Sequence, residues 1–262
     1  MIYVCIPCRD EAETIGLVLW KVRKAFEALG REYHVLVGND GSTDHSAEVL
    51  STYEQVLPVT ILTTSGQGYA ATAESLLRKA VELSDRPRRD GAVLMQGDLS
   101  HNPDYLGDFV RRLESGADLI VGEGQIDPAW DRGYRWARKW SAWLLRRTAG
   151  VDGVKDPTSG FLGFRLATLK LLFQKEGRTL VSDGWAVNAE LAGRAAVHAR
   201  RIETVSFAER HDLKSRPRRI IPWPHARALW GASRTARRAV ASEQAAPRGP
   251  KRRDSREKGS AA

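Results

Sequence analysis

Strand-like apolar runs alternate with amphipathic helical ones over the first 125 residues of the chain. Residues 2–6 read as a strand, and the run over 11–29 behind them reads as a helix stopped at Gly30. The pattern repeats with strands at 33–37, 59–63, 92–96 and 119–121. Helices are predicted between them at 46–53, 69–83 and 103–114, the last opened by Pro103. Short links between alternating elements predict βαβ units and a mainly parallel sheet, an α/β fold. In open sheets of that kind ligands sit beyond the carboxyl ends of the strands, which is where chemistry is to be sought.

After Gly124 the pattern loosens. An aromatic and basic helix is predicted over 130–147, a turn entering a strand over 156–165, a helix over 183–196 and a strand over 201–207. No internal repeat is present.

Composition changes this picture little. A chain of 262 residues, 42% hydrophobic and 28% charged, buries a core without disulfide or metal staples. No run of eighteen apolar residues occurs, so no membrane-crossing helix is expected. Met1-Ile2-Tyr3-Val4 leads into strand-like sequence instead of a signal segment, which makes a cytoplasmic address the expectation.

Charge changes it more. From Glu209 onward fifteen Lys/Arg face five Asp/Glu, so the net +9 of the chain belongs to its end and the preceding part sums to about −1. Residues 217–240 are expected to form a helical appendage. On it Trp223, Trp230, Arg227, Arg234, Arg237 and Arg238 share one side, with Leu229, Ala232, Ala236 and Val240 on the other. Such a face fits a solvated appendage, an anionic membrane surface that would hold the protein peripherally, or single-stranded nucleic acid, the last being least expected. Residues 241–262 are polar, basic and short of apolar side chains, so disorder is expected there.

Cys5-Ile6-Pro7-Cys8 has the spacing of a redox pair. Redox sites of that spacing follow a strand and open a helix, and only four residues precede Cys5; zinc would need two more ligands. Two reduced, half-buried thiols are expected instead.

The strand ends carry the candidate chemistry. They deliver Pro7-Cys8-Arg9-Asp10-Glu11, Gly38-Asn39-Asp40-Gly41-Ser42-Thr43-Asp44, Gly66-Gln67-Gly68-Tyr69-Ala70 and Gln96-Gly97-Asp98-Leu99-Ser100-His101. Carboxylates accept hydrogen bonds from ribose hydroxyls and base N–H groups, glycines admit close backbone approach, and a carboxylate at Asp98 suits a hard divalent cation bridging phosphates. Each segment alone is also a plain turn or helix start. Four at four consecutive strand ends point to a nucleotide.

These residues resemble the family 2 glycosyltransferases, and within them the dolichyl- or polyprenyl-phosphate mannose synthase branch. Ile6-Pro7-Cys8-Arg9-Asp10-Glu11 is similar to the family's I-P-x-(Y/R)-N-E, and Asn39 to Asp44 matches N-D-G-S-T-D. Gly66 to Ala70 is similar to G-L-G-T-A, and Gln96 to Pro103 to D-A-D-L-S-H-P-P. Asp156-Pro157-Thr158-Ser159-Gly160-Phe161 matches D-x-T-S-G-F. Gly184-Trp185 with Asn188 and Glu190 keeps the spacing of G-Y-x-x-Q-x-E, and Arg210, Ser215 and Arg216 that of R-x-x-G-x-S-K. The resemblance covers roughly residues 2–216, the expected catalytic unit (1–216), and implies a GT-A fold.

By this resemblance Pro7, Arg9, Glu11 and Asp40 surround base and ribose, and Gly68 lets the backbone approach the nucleotide. Asp98 would bind Mn²⁺ or Mg²⁺, weakened because Gln96 stands where a second carboxylate is usual. Asp156 and Glu190 would face sugar and acceptor, while Arg138, Arg210 and Arg216 meet phosphate oxygens. The implied reaction is inverting transfer of a hexose from a GDP- or UDP-sugar. The first-choice acceptor is a polyprenyl phosphate, with a soluble or glycan hydroxyl as the alternative. A non-catalytic nucleotide- or nucleic-acid-binding protein is the reading from a different class. Gly122-Glu123-Gly124-Gln125 lacks the arginine usual in the branch after its fifth strand.

Overall fold

The computed structural model describes residues 1–128, 130–174, 177–182, 184–209 and 222–245, the last stretch in side-chain detail from 228 onward. The first apolar run becomes β1 (Ile2–Cys8), buried along its length as a strand covered on both faces must be. Strands β2 (Tyr33–Asp40) and β3 (Val59–Thr64) add in parallel on one side, and β4 (Gly91–Leu94) adds in parallel on the other. Val4 and Ile6 face helix α1 (Ala12–Leu29), which buries Ile15, Val18, Leu19, Val22 and Phe26 against them. Tyr3 and Cys5 face the opposite layer, where α3 (Tyr69–Leu83) buries Ala73, Leu76 and Leu77. Helix α2 (Ser46–Glu54) packs beside α1. At β2 the approach of α3 is so close that a Cβ on Gly38 would lie 2.4 Å from Thr72 Cγ2.

A 3-10 turn at Pro103–Tyr105 leads into α4 (Leu106–Glu114) and then β5 (Leu119–Gln125). Strand β6 (Leu162–Arg165) inserts antiparallel between β4 and β5, with Leu162 opposite both Leu94 and Val121. Strand β7 (Ile202–Ala208) closes the far edge parallel to β5, giving the order β3-β2-β1-β4-β6-β5-β7. The sheet is therefore mainly parallel, as expected. Its one reversed strand has a consequence: the start of β6 lies at the same edge as the end of β4.

Helices α5 (Arg132–Ala149), α7 (Trp185–His198) and α8 (Pro222–Ala245) pack together on one side, with short α6 (Leu166–Leu172) beside α3. A Cβ on Gly193 would sit 2.6 Å from the Ala149 carbonyl oxygen and 2.8 Å from Val240, so only glycine lets these three helices meet. Helix α8 buries Ala236 and Val240 there and turns Trp230, Arg234, Arg237 and Arg238 outward, as predicted for these six; the side chains of Trp223 and Arg227 lie outside the described residues. Disorder from residue 241 is corrected: α8 runs on to Ala245 because Glu243 binds Arg194 at 2.8 Å and His198 at 2.9 Å. Residues 246–262 lie outside the described residues.

The two cysteines are free and fully buried, a correction to the expected half-burial. Three residues apart on a strand they face opposite layers and cannot pair. Burial pushes both thiols up, Cys8 to about 12 with help from Glu11 and Asp44. Among the described residues no helix is long and apolar enough to cross a membrane.

Candidate active site

The loops after β1 and β2 are zipped together by the polar residues of the Asn39 to Asp44 motif. Ser42 Oγ accepts the Asp10 N–H at 2.9 Å, Asp10 Oδ1 accepts the Thr43 N–H at 2.6 Å, and Asp44 accepts from the N–H groups of Ala12 and Ser46. Ser46 Oγ accepts the Glu11 N–H at 2.8 Å. Much of this motif thus serves to hold the Arg9–Glu11 segment in place. Asp10 needs holding, because it adopts φ +53°, a left-handed conformation that costs a non-glycine residue about 1–2 kcal/mol.

Asp40 is nearly inaccessible at the end of β2. Its Oδ1 accepts from Thr64 Oγ1 at 2.6 Å and the Gln67 N–H at 2.7 Å, and its Oδ2 accepts the Gly68 N–H at 2.8 Å. Burial opposes its charge, yet these bonds and nearby Arg9 hold the carboxyl below its usual range. The resemblance puts Asp40 against base and ribose. The structure gives it a prior task, fixing the 66–68 loop, and leaves about one of its four lone-pair sites for a ligand. Gly68 is at φ +88° and caps α3; Arg9 is exposed, and Pro7, the last residue but one of β1, lies beside Gly38.

The loop after β4 is joined to the first by Thr14, whose hydroxyl contacts Glu11 Oε2 at 3.2 Å and the Gly97 carbonyl at 2.9 Å. Asp98 is half-buried and accepts the Ser100 N–H at 3.0 Å and its hydroxyl at 2.5 Å, both on Oδ1. Leu99 between them stands at φ +62°. Among the described residues only Asp10 and Leu99 are non-glycine residues with positive φ, and both lie in this loop cluster. His101 supports the loop from below. Its Nδ1 accepts the Gln96 N–H at 3.1 Å and its ring stacks on Phe161 at 4.8 Å.

Tyr69 connects this half to the other. Its hydroxyl bonds the Gln96 side chain and donates to Asn188 Oδ1 at 2.9 Å, and burial raises its pKa. Asn188 Nδ2 in turn donates to the Thr158 carbonyl at 2.9 Å, and the Thr158 N–H donates to Asp156 Oδ1 at 2.9 Å. A chain of polar contacts therefore runs from Gln96 to Asp156.

Asp156 is paired with Arg138 at 2.8 Å, and Arg138 also reaches Glu209 at 3.2 Å and bonds the Thr158 hydroxyl. The guanidinium is 2% exposed and lies 5.7 Å from the Trp185 ring centroid. Burial works against its charge, and the two carboxylates outweigh burial and raise its pKa. Gly124 makes the room: a Cβ there would be 2.7 Å from Glu209 Oε2 and 3.3 Å from Arg138. Residues 122–125, the stretch without an arginine, form the end of β5 itself and are packed there against an arginine supplied by α5.

Glu190, assigned to sugar and acceptor by resemblance, is fully buried. Its carboxylate accepts the N–H groups of Val181 and Ser182, at 3.2 and 2.9 Å, and pairs with Arg194. Sequence reasoning missed its counterpart Glu74, which accepts the N–H groups of Thr179 and Leu180 at 2.8 Å. Two buried glutamates thereby clamp residues 179–182. The available signal was a carboxylate inside the Ala70-Ala73-Leu77 stripe of α3. Arg210 and Arg216 lie outside the described residues.

Among the described residues no three His, Cys, Asp or Glu side chains converge on one point. Asp98 supplies a carboxylate whose two Ser100 bonds both fall on Oδ1, and Gln96 offers a neutral carbonyl. That set fits a cation of the kind held by one or two protein oxygens and completed by substrate phosphates and water.

The sequence profile of the family described as Glycosyl transferase family 2 matches residues 3–173. The chain is 27% identical over 203 residues to the polyprenol monophosphomannose synthase of Mycolicibacterium smegmatis, covering 73% of this chain and 71% of that one. It is 25% identical over 167 residues to the dolichol-phosphate mannosyltransferase of Pyrococcus furiosus, covering 62% of this chain but only 45% of that relative's length. Its fold is similar to that of glucosyl-3-phosphoglycerate synthase from Mycobacterium tuberculosis, solved with Mn²⁺, UDP and phosphoglyceric acid. That likeness has a TM-score of 0.60 at 19% identity and covers 95% of this chain and 80% of that one.

Proposed function

The chain belongs to glycosyl transferase family 2 and carries the family's GT-A fold, and from that premise we propose that it moves a hexose, with inversion, from a GDP- or UDP-sugar to a polyprenyl phosphate. One observation carries the donor half: the loops after β1, β2, β3 and β4 meet at one edge of the sheet and are bonded to one another, and Asn188 of α7 links them to the turn before β6. In this reading Pro7, Arg9 and Glu11 line the base and ribose pocket with the remaining acceptor site of Asp40. Gly68 allows the diphosphate to approach the start of α3. Asp98 and the Gln96 carbonyl hold Mn²⁺ or Mg²⁺, which when bound stabilises charge on the departing diphosphate.

The acceptor half rests on what the carboxylates are doing. An attacking hydroxyl needs a base, whereas a phosphate monoester is already an anion. Asp156 is neutralised by Arg138 and hydrogen-bonded by Thr158, and Glu190 is taken up by backbone N–H groups. Neither stands open to take a proton, which favours an anionic acceptor. Its oxygen attacks the anomeric carbon as the bond to the diphosphate breaks, and Arg210 and Arg216 are the candidates to meet phosphate oxygens. Glu190 shapes the acceptor wall by clamping residues 181–182 and does not touch the sugar. The names of the two curated relatives, both polyprenyl- or dolichyl-phosphate mannose enzymes, support the same acceptor and make mannose the first sugar to try.

The test has two stages. Thermal shift with UDP, GDP, CDP and dTDP, with and without Mn²⁺, identifies the base, because a ligand bound only by the folded state raises the melting temperature. Transfer from the matching nucleotide-sugar is then followed by mass spectrometry with a polyprenyl phosphate and with a simple glycoside as acceptors. Glycosylation of the hydroxyl acceptor alone overturns the lipid-phosphate assignment, and no response to any nucleotide overturns the donor site.

A further inference from the structure

Helix α5 carries Arg132, Arg135, Arg138, Lys139, Arg146 and Arg147 and no carboxylate at all. Arg138 alone among them points into the buried cluster with Asp156. Arg132, Trp136, Lys139, Trp143, Arg146 and Arg147 recur at three- and four-residue spacing, and all six are exposed. Trp136 and Trp143 are 56% and 55% accessible, and Trp140 stacks on Trp136 with ring centroids 6.2 Å apart. The Arg147 guanidinium lies 5.6 Å from the Trp143 ring centroid. Both border a cavity of about 370 Å³ shared with Arg146, Val151 and a single acid, Asp152. Helix α8, packed on α5, repeats this chemistry outward: Trp230 is 47% exposed with Arg234 at 5.5 Å from its ring centroid, and Arg237 and Arg238 follow.

We propose that this Trp/Arg face of α5, extended by the outer side of α8, docks on the anionic headgroup surface of a lipid bilayer. Tryptophan partitions to headgroup depth, where its ring is half wet and half apolar, and Arg and Lys reach lipid phosphates from the same depth. Charge complementarity chooses the partner, since nearly every charge on the face is positive. Docking is superficial, because the apolar side of α8 is already spent in the core at Ala236 and Val240. Single-stranded nucleic acid is the weaker match: it needs ring faces open to bases, whereas Trp136 and Trp140 turn one face toward each other and Arg147 and Arg234 lie over the rings of Trp143 and Trp230. The docking holds whatever the acceptor is.

The full chain is sedimented with vesicles of phosphatidylcholine alone and with a phosphatidylcholine–phosphatidylglycerol mixture. It should bind the mixed vesicles only, and more weakly as salt rises. Each basic residue near such a surface contributes roughly a factor of five, so Lys139→Gln, Arg146→Gln and Arg147→Gln together should lower partitioning about a hundredfold. Trp136→Ser with Trp143→Ser should lower it while leaving the salt dependence in place, and Trp20→Ser, an exposed tryptophan on α1, should change nothing. Quenching of wild-type tryptophan fluorescence by brominated anionic lipid gives a reading that needs no variant. The proposal is overturned if the wild type ignores anionic vesicles or is not quenched. It is equally overturned if the charge variant binds as well as the wild type, which would assign the contact to another part of the chain, or if these substitutions abolish single-stranded DNA binding and spare vesicle binding.

Discussion

The hydroxyl of Tyr69, at the start of α3, donates to Asn188 Oδ1 in α7 across 2.9 Å while also bonding the side chain of Gln96. One phenol thus fastens the candidate metal loop to the acceptor wall. Gln96 stands where the family usually has a carboxylate, and Tyr69 where it usually has a small hydroxyl residue; in this chain the two departures touch. Tyr69→Phe removes the fastening and strands a buried amide oxygen, a loss of about 1–3 kcal/mol. The melting temperature should fall by roughly 2–12 °C at this chain length. A drop in kcat larger than the change in KM would show that the link orders the reacting groups; unaltered kcat and stability would remove it from the argument.

Asp98 is the only carboxylate of its loop, and Gln96 is neutral. Asp98→Asn should cut kcat by about a hundredfold or more, the usual scale for losing a group that stabilises transition-state charge. Gln96→Asp should act in the opposite sense on the metal, lowering the Mn²⁺ concentration needed for half-maximal rate by about tenfold, since a second anionic ligand strengthens a hard-cation site. Metal titrations of both variants check this. A Gln96→Asp curve that overlays the wild type would count against Gln96 as a ligand.

Arg138, Asp156 and Glu209 form a buried cluster in which one cation faces two acids. Breaking such a pair leaves an uncompensated buried charge, at a cost of about 3–5 kcal/mol. Arg138→Met should therefore unfold the protein at markedly lower denaturant concentration. Arg138→Met combined with Asp156→Asn should recover part of the loss, because one of the two stranded charges is gone while Glu209 keeps its own. Gly124→Ala should mimic the single change, its Cβ falling 2.7 Å from Glu209 Oε2. Chemical unfolding of these variants together with Asp156→Asn alone separates a coupled cluster from independent residues: additive losses for the Arg138/Asp156 pair would mean no coupling.

Periodicity located nearly every element, and the strand-end rule located the site, because both follow from burial and backbone hydrogen bonding along a short stretch of chain. Seven-residue α6 escaped: it follows β6 without a break, and a short apolar run does not distinguish strand from helix. The reversal of β6 escaped as well, since strand direction depends on a partner distant in sequence. At the site, letter patterns identified which residues gather there but not what each does. Ser42, Thr43 and Asp44 turned out to bond the first loop, and Glu190 to cap two backbone N–H groups. Those tasks are set by neighbours that spacing alone cannot reveal. Glu74, unremarked in an alanine-rich helix, does the same work as Glu190.

The acid limb of stability tests the loop-fastening role of Asp40. Its carboxyl sits below the usual range: burial opposes ionisation, but bonds from Thr64, Gly68 and Gln67 and the charge of Arg9 prevail. Asp44 is lowered in the same sense, with burial again opposed by Ser46 and Ala12. A group whose folded pKa is depressed binds fewer protons folded than unfolded, so it adds stability that is complete above the unfolded value of roughly 4 and drains away as pH falls through the folded value. The melting temperature should thus be level near neutrality and fall below about pH 4. Asp40→Asn should lower it at pH 7, because the amide keeps one oxygen and turns its NH2 toward either the Gln67 or the Gly68 N–H, which loses its acceptor. The same variant should show a shallower acid limb, since one titrating group has gone while Asp44 remains. If the wild-type and Asp40→Asn curves run parallel down to pH 3, the charge of Asp40 is not what holds the 66–68 loop to β2, and its hydrogen bonds alone must carry that role.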